Sequence, residues 1–187
     1  MARTPSNMLP LGTIAPAFEL PDTISGKTMS LKQLHGSVGT VIFFICNHCP
    51  FVIHVKEELV RIAKAYQEKG FSFIAISSND VIKYPQDGPD KMKEFANQAQ
   101  FSFPYLYDET QKIAKAYDAA CTPDIYVFDR DLALVYRGQL DDSRPGNELP
   151  VSGTDLRNAL TNMIQGKAVS VLQKPSIGCN IKWKREG

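Results

Sequence analysis

Cys46 and Cys49 are the residues most suited to chemistry, because they stand at CxxC spacing with His48 between them. Two thiols at this spacing can form a small disulfide ring or supply two ligands to a metal ion. A zinc site requires four ligands, and the sequence has neither a second CxxC nor a pair of histidines at ligand spacing. The pattern therefore favours a redox dithiol with no metal and no cofactor. A metal site built from Cys46, Cys49, His48 and Cys121 stays open as an alternative.

The elements predicted around the dithiol place Cys46 where a thiolate is stabilised. Residues 38–45 form an apolar, β-branched stretch that predicts a buried strand, and residues 52–66 carry apolar side chains at helical spacing. Pro50 fits the first turn of that helix, where the unpaired N–H groups favour an anion. His48 as a cation would add to this effect, although a solvated loop position is its alternative. We therefore expect a lowered pKa at Cys46 and an oxidising couple.

The rest of the chain predicts a mixed α/β domain. The predicted elements are a hairpin over residues 17–31, strands at 38–45, 71–77 and 104–107, helices at 91–99, 110–119 and 154–164, and a second hairpin formed by 125–128 and 132–136. The strand–helix–strand start predicts parallel strands, and the late hairpin adds antiparallel ones. The result is a mixed central sheet with helices on both faces.

Length and composition limit the remaining possibilities. The 187 residues, with a net charge of +1, fit one domain at residues 10–166, a flexible N-terminus at 1–9 and a C-terminal extension at 167–187. Trp183 is expected to pin that extension to the body. No apolar run approaches the length of a membrane span, and the first residues lack the apolar region of a signal peptide. We therefore expect a cytoplasmic monomer or homodimer without nucleic-acid or membrane partners.

Three stretches resemble the redoxin (AhpC/TSA-like) group of the thioredoxin-like superfamily, in its CxxC-containing branch. They are residues 12–34, the strand–CxxC–helix unit, and residues 116–129. The resemblance covers about residues 10–166 and implies a thioredoxin fold. It also implies that Pro123 is cis and faces Cys46 and Cys49, which leaves the backbone of Thr122 available to pair with an extended substrate. A plain turn proline is the alternative.

Departures from the group's patterns bear on the reaction. The peroxiredoxin pattern Pro-x-x-x-Thr/Ser-x-x-Cys fits neither Cys46 nor Cys49, and Thr40 lies where thioredoxin has a buried Asp. The resemblance therefore favours a thiol–disulfide oxidoreductase with an oxidising or isomerising bias. A thiol-dependent, peroxiredoxin-like antioxidant peroxidase using Cys46 is the first alternative. A non-catalytic module that senses metal or redox state is the second.

The expected mechanism is a two-step exchange. Cys46 forms a mixed disulfide with the substrate, and Cys49 resolves it. The partners implied are protein or small-molecule thiols and disulfides, with thioredoxin or a small thiol as the reductant that recycles the pair.

Three other residues have two interpretations each. Cys121 is a candidate third thiol because it precedes Pro123 closely, although a buried hydrophobic role is favoured. Cys179 could reach the active site as a thiol of a mobile tail, although a packed thiol of the C-terminal tail is favoured. Arg144 is expected to pair locally with Asp141 or Asp142 instead of acting on a cysteine.

Overall fold

The computed structural model of the protein describes residues 3–185. In chain order, the strands are β1 (Thr4–Pro5), β2 (Glu19–Pro21), β3 (Thr28–Ser30), β4 (Gly39–Phe44), β5 (Phe71–Ser77), β6 (Tyr105–Tyr107), β7 (Cys121–Thr122), β8 (Asp124–Asp129), β9 (Leu134–Arg137) and β10 (Ile177–Asn180). The helices are α1 (Leu31–Leu34), α2 (Pro50–Gln67), α3 (Pro89–Gln98), α4 (Lys112–Ala116) and α5 (Thr154–Ile164), with a short 3₁₀ helix at Pro85–Asp87.

A mixed five-stranded sheet forms the centre of the fold, in the order β6-β5-β4-β8-β9. Strand β4 pairs in parallel with β5 and antiparallel with β8, so every residue of β4 is buried between two neighbours. Parallel pairing followed by an antiparallel hairpin is the predicted topology, which is confirmed.

Alternate side chains of β4 enter two separate cores, as the period-2 geometry of a strand requires. Val41 and Phe43 pack with the buried faces of α2, α3 and α5. Ile42 and Phe44 pack on the opposite face, where α1 and α4 contribute Leu31 and Ala114. Helices therefore cover both faces of the sheet, and the CxxC segment follows directly after the fully buried strand β4.

Two predicted helices differ in extent from the structure. The helix expected at 91–99 begins earlier, because Pro89 occupies its first turn, where a missing N–H costs nothing. The helix expected at 110–119 is limited to α4. Gln111 and Asp118 flank it with φ angles of 62° and 49°, so a left-handed residue interrupts the helical backbone on each side.

A second, three-stranded sheet was not predicted. Its order is β1-β10-β7, with Thr4 opposite Gly178 and Cys179 opposite Thr122. The expected flexible N-terminus is therefore wrong for Thr4 and Pro5, which form a strand. Ser6 is also buried and donates a hydrogen bond to Asp124 at 2.8 Å.

The C-terminal extension is held by β10, not by Trp183. Trp183 is 38% exposed, whereas Cys179 and Ile181 are buried. The expectation that the tryptophan pins this segment is therefore wrong. Within residues 3–185, no helix has both the length and the apolar character that crossing a membrane requires.

Candidate active site at the dithiol

The dithiol lies between the end of β4 and the start of α2, as the sequence predicts. Pro50 is the first residue of α2, and Cys49 is its N-cap. Both cysteines are thiols, and Cys46 and Cys49 are only 1% and 0% exposed. The helix start therefore lies directly against a sulfur pair that is almost closed to solvent.

Thr122 and Pro123 face the dithiol from the opposite side. The peptide bond between them is cis, as the resemblance implies. The Thr122 hydroxyl lies 3.6 Å from the Cys46 sulfur, and Cys49 donates to the Thr122 carbonyl at 3.1 Å. One residue of β7 therefore contacts both thiols, through its side chain and its backbone.

His48 is not a solvated loop residue. Its Nδ1 atom lies 2.7 Å from the Asp87 carboxylate and 4.0 Å from the Cys46 sulfur. Its ring stacks on Tyr84, with centroids 5.5 Å apart and planes within 4°. These contacts fix the imidazole beside Cys46, with Asp87 on its inner side.

Asp87 is the main site residue that the sequence did not single out. It is fully buried, and it accepts hydrogen bonds from the Asn47 backbone N–H at 2.9 Å and from the Asn79 amide at 2.8 Å. Thr40, in the region where thioredoxin has its Asp, instead accepts from the Gly36 N–H. The carboxylate near the dithiol is therefore supplied by another segment, the loop after β5.

The hydrogen bond between the two thiols dominates their ionisation. It lowers the pKa of Cys49 to about 5 and raises the pKa of Cys46 well above its ordinary value. Burial and the Asp87 carboxylate add to the rise at Cys46. The expectation of a lowered pKa at Cys46 is therefore wrong, because an unforeseen negative charge and burial oppose its thiolate.

The contacts also define how the nucleophile can form at Cys46. When Cys49 is a thiolate, it accepts a hydrogen bond from the Cys46 thiol. When Cys49 is a thiol, it can donate a hydrogen bond to the Thr122 carbonyl at 3.1 Å. Transfer of one proton along the Cys46–Cys49 hydrogen bond therefore moves the thiolate to Cys46. The Thr122 hydroxyl, which lowers the pKa of Cys46, can then stabilise it.

The structure does not assemble the four-ligand metal set that the sequence left open as an alternative. In the described part of the chain, the one group of three or more potential ligands comprises Cys46, His48 and Asp87, with their ligand atoms within 4.8 Å of one another. His48 Nδ1 and Asp87 already contact each other, and Cys121 lies outside the group. A closed tetrahedral zinc site needs a fourth protein ligand, so this arrangement does not fit one.

The third thiol at the site is Cys179, not Cys121. Cys179 forms a side-chain hydrogen bond with Cys49. The Cys121 thiol instead faces the carbonyl of Pro123 at 3.5 Å and that of Ser176 at 4.0 Å. Burial raises the pKa of Cys121, as suits the apolar role favoured from the sequence.

Arg144 is engaged locally, as the sequence predicts, although not with a carboxylate. Its guanidinium donates to the backbone carbonyls of Asp141 and Ser143 at 2.6 and 2.7 Å. The Asp141 carboxylate itself accepts from the backbone of Ser152 and Gly153, at 2.7 Å each. Arg144 therefore orders the loop after β9.

Comparisons with known proteins agree with the fold. Residues 11–137 match the family described as the AhpC/TSA family. An uncharacterized conserved protein from Geobacillus kaustophilus is 57% identical, with a TM-score of 0.98 over 100% of this chain and 99% of that one. A hypothetical protein from Sinorhizobium meliloti 1021 is 44% identical, with a TM-score of 0.95 over 98% and 100%.

More distant solved structures share the thioredoxin-like fold. Peroxidoxin BcpB from Mycobacterium tuberculosis is 19% identical, with a TM-score of 0.61 over 83% of this chain and 96% of that one. At this identity the likeness concerns the fold alone. No curated protein matches the chain.

Proposed function

Because the chain belongs to the AhpC/TSA family, we propose that it is a thiol–disulfide oxidoreductase in which Cys46 and Cys49 alternate between dithiol and disulfide. One observation carries this proposal. The two thiols share a hydrogen bond at the start of α2, and a single residue, Thr122, contacts both of them. Two thiols in hydrogen-bond contact at CxxC spacing are close enough to form a disulfide with each other, as thiol–disulfide exchange requires.

The proposed reaction has two steps. The Cys46 thiolate attacks one sulfur of a substrate disulfide, the substrate S–S bond breaks, and one substrate thiolate leaves. Cys49 then attacks Cys46 in the mixed disulfide, so that the Cys46–Cys49 disulfide forms and the second substrate thiolate leaves. In sum, the substrate is reduced and the dithiol is oxidised. A thioredoxin or a small thiol returns the pair to the reduced state.

His48 and Asp87 are positioning residues in this proposal. Asp87 holds the His48 ring at 2.7 Å, and the ring lies 4.0 Å from the Cys46 sulfur. A protonated His48 would offset the Asp87 charge and favour the Cys46 thiolate. A more stable thiolate means a more stable reduced form, and in this pair the lowered pKa belongs to Cys49. The oxidising or isomerising bias therefore rests mainly on the Cys49 thiolate.

The substrate class follows from what covers the site. Cys46 is 1% exposed, and the edge of β7 at Thr122 already pairs with β10. The expectation that the Thr122 backbone is available to an extended substrate is therefore wrong for this arrangement. Small-molecule disulfides, and protein disulfides at exposed tips, fit the site better than extended polypeptides.

Catalysed disulfide exchange tests the proposal. The reduced protein is expected to reduce hydroxyethyl disulfide with many turnovers in the presence of a thiol reductant, and to reduce the interchain disulfides of insulin much more slowly. Cys46→Ser should abolish turnover, and Cys49→Ser should accumulate a mixed disulfide at Cys46. Cys121→Ser is the matched control and should retain activity. Turnover that survives in Cys46→Ser would contradict the proposal.

Peroxide reduction is the second candidate, and the Thr122 hydroxyl is the observation in its favour. This hydroxyl lies 3.6 Å from the Cys46 sulfur and can donate a hydrogen bond beside the reacting atom. In this reaction, Cys46 would take one peroxide oxygen to become a sulfenic acid and release hydroxide. Cys49 would then form the disulfide and release water. Peroxide consumption that is lost in both Cys46→Ser and Thr122→Val would support it.

A further inference from the structure

Strand β10 occupies the backbone edge next to the dithiol. Cys179 lies opposite Thr122 in the antiparallel pairing, and Asn180 lies opposite Cys121. A side chain at Gly178 would bring its Cβ to 1.9 Å from the Thr122 carbonyl oxygen, so only glycine permits this approach. The same carbonyl accepts a hydrogen bond from Cys49. The chain's own strand β10 therefore occupies the edge at Thr122 that was expected to pair with an extended substrate.

This pairing brings the Cys179 thiol to Cys49. The two side chains are hydrogen-bonded, and Cys179 is only 3% exposed. Strand β10 is also held in place by two further contacts. Strand β1 pairs with β10 on its far side, and the Lys182 backbone N–H donates to the side chain of Asn79 at 2.8 Å. Cys49 therefore contacts both Cys46 and Cys179, and connects the three thiols.

We propose that Cys179 is a third redox-active thiol, which takes over the disulfide from Cys46 by bonding to Cys49. This inference rests on the proposed function, because it begins from the Cys46–Cys49 disulfide. The Cys179 thiolate attacks the Cys49 sulfur, the Cys49–Cys179 bond forms, the Cys46–Cys49 bond breaks, and Cys46 leaves as a thiolate. The proton lost by Cys179 is regained by Cys46. The disulfide moves within the chain, so no external oxidant or reductant takes part.

This transfer of the disulfide to Cys179, called the relay below, is coupled to the redox state of Cys46 and Cys49. In the reduced protein, burial and then the hydrogen bond with Cys49 raise the pKa of Cys179 to about 12. Once Cys49 is in a disulfide it carries no negative charge, so its contribution to that rise disappears while burial remains. The Cys179 thiol therefore ionises more readily once the Cys46–Cys49 disulfide, which its thiolate attacks, has formed. The outcome is an oxidised protein in which Cys46 is again a free nucleophile.

Disulfide mapping of the full chain tests the relay, because trypsin separates the thiols cleanly. Cys46 and Cys49 share the peptide 33–56, whereas Cys179 lies in 168–182 and Cys121 in 116–130. Cys46→Ser is oxidised with diamide and the free thiols are then alkylated. The expected product is peptide 33–56 linked to 168–182, with loss of alkylation at Cys179. Cys46→Ser/Cys121→Ser is the matched control and should give the same link.

The wild-type chain gives a second readout. After one equivalent of oxidant, a disulfide that stays at Cys46–Cys49 leaves Cys179 to be alkylated. A disulfide that has moved leaves Cys46 instead, so alkylation shifts from peptide 168–182 to peptide 33–56. Cys179→Ser should abolish this shift while keeping the Cys46–Cys49 disulfide.

Three outcomes separate the inference from the proposed function. Full alkylation of Cys179 in oxidised Cys46→Ser, with Cys49 found only unlinked or in a link to 116–130, would overturn the third-thiol role. If wild-type exchange activity persisted in that case, the proposed function would stand without it. If the wild-type chain neither catalysed exchange nor formed the Cys46–Cys49 disulfide, the proposed function and the relay would both fall.

Discussion

Replacing Asp87 by Asn tests the electrostatic control of Cys46. The Asp87 carboxylate is fully buried, and its nearest oxygen lies within 4.8 Å of the Cys46 sulfur. At that separation, with an effective dielectric of about 20, a carboxylate and a thiolate repel each other by about 3 kcal/mol. Asn has nearly the same shape, so its amide oxygen can still accept the Asn47 N–H. Its NH2 group takes the place of the oxygen that accepts from Asn79 and contacts His48, so the substitution removes the charge and keeps only the hydrogen bond from Asn47.

We expect Asp87→Asn to lower the pKa of Cys46, because a negative charge that opposes its thiolate is lost. At a fixed pH below that pKa, the thiolate fraction should rise by up to about a hundredfold. A protonated His48 would offset part of the Asp87 field and make the gain smaller. The background is Cys49→Ser, since the Cys49 thiol otherwise titrates together with Cys46.

The assay is the rate of iodoacetamide alkylation of Cys46 as a function of pH, followed by the mass of peptide 33–56. Asp80→Asn is the matched control. Asp80 is a buried carboxylate of the same loop, but it accepts from the Ile82 N–H and pairs with Lys83 at 3.6 Å. An Asp87→Asn profile that coincides with the control, or that moves to higher pH, would refute the reasoning.

Three further substitutions or conditions should have measurable effects. The pKa of Cys49 is about 5 in the folded chain and about 8.5 in the unfolded chain. Between these two pH values the unfolded state binds more protons, so the free energy of unfolding of the reduced protein should increase as the pH rises from about 5 to about 8.5. Urea unfolding at several pH values, with Cys49→Ser as reference, measures this, and a flat difference would contradict it. Thr122→Val should raise the pKa of Cys46 and slow its alkylation, whereas Thr122→Ser should not. Gly178→Ala should detach β10 and increase the alkylation rate of Cys179, because its Cβ meets a backbone oxygen. Unchanged protection of Cys179 would show that β10 can shift as a unit.

The central sheet and the position of the dithiol were predictable because they depend on local patterns. A continuous apolar run marks β4, helical spacing marks α2, and Pro50 fixes where that helix begins. The approach of Thr122 to both thiols was accessible only through the family resemblance, since nothing in its neighbouring sequence points to Cys46 or Cys49. Periodicity describes an element, whereas the contact between two distant loops is set by the packing of the whole sheet.

Asp87 and β10 were missed for different physical reasons. Asp87 lies in a Pro- and Gly-rich loop, where its carboxylate looks like one more solvated charge, and only its burial beside His48 reveals its role. Strand β10 has four residues, including Gly178, so it carries no recognisable alternation. Its partners lie more than fifty residues away in β7 and at the opposite end of the chain in β1. Short strands are specified by the edges they meet, and those edges do not exist in the sequence alone.

The C-terminal strand gives the site its specificity and the proposed relay through the same contact. An edge at Thr122 that was open would admit extended polypeptides by strand addition. Here the chain's own β10 pairs at Thr122, and Lys182 binds the loop of Asn79 that also holds Asp87. A segment that excludes long substrates must lie against the sulfur pair, and its Cys179 is therefore presented to Cys49. Restricting access and supplying a third thiol are thus two consequences of one strand, so a variant that detaches β10 should widen the substrate range and lose the relay together.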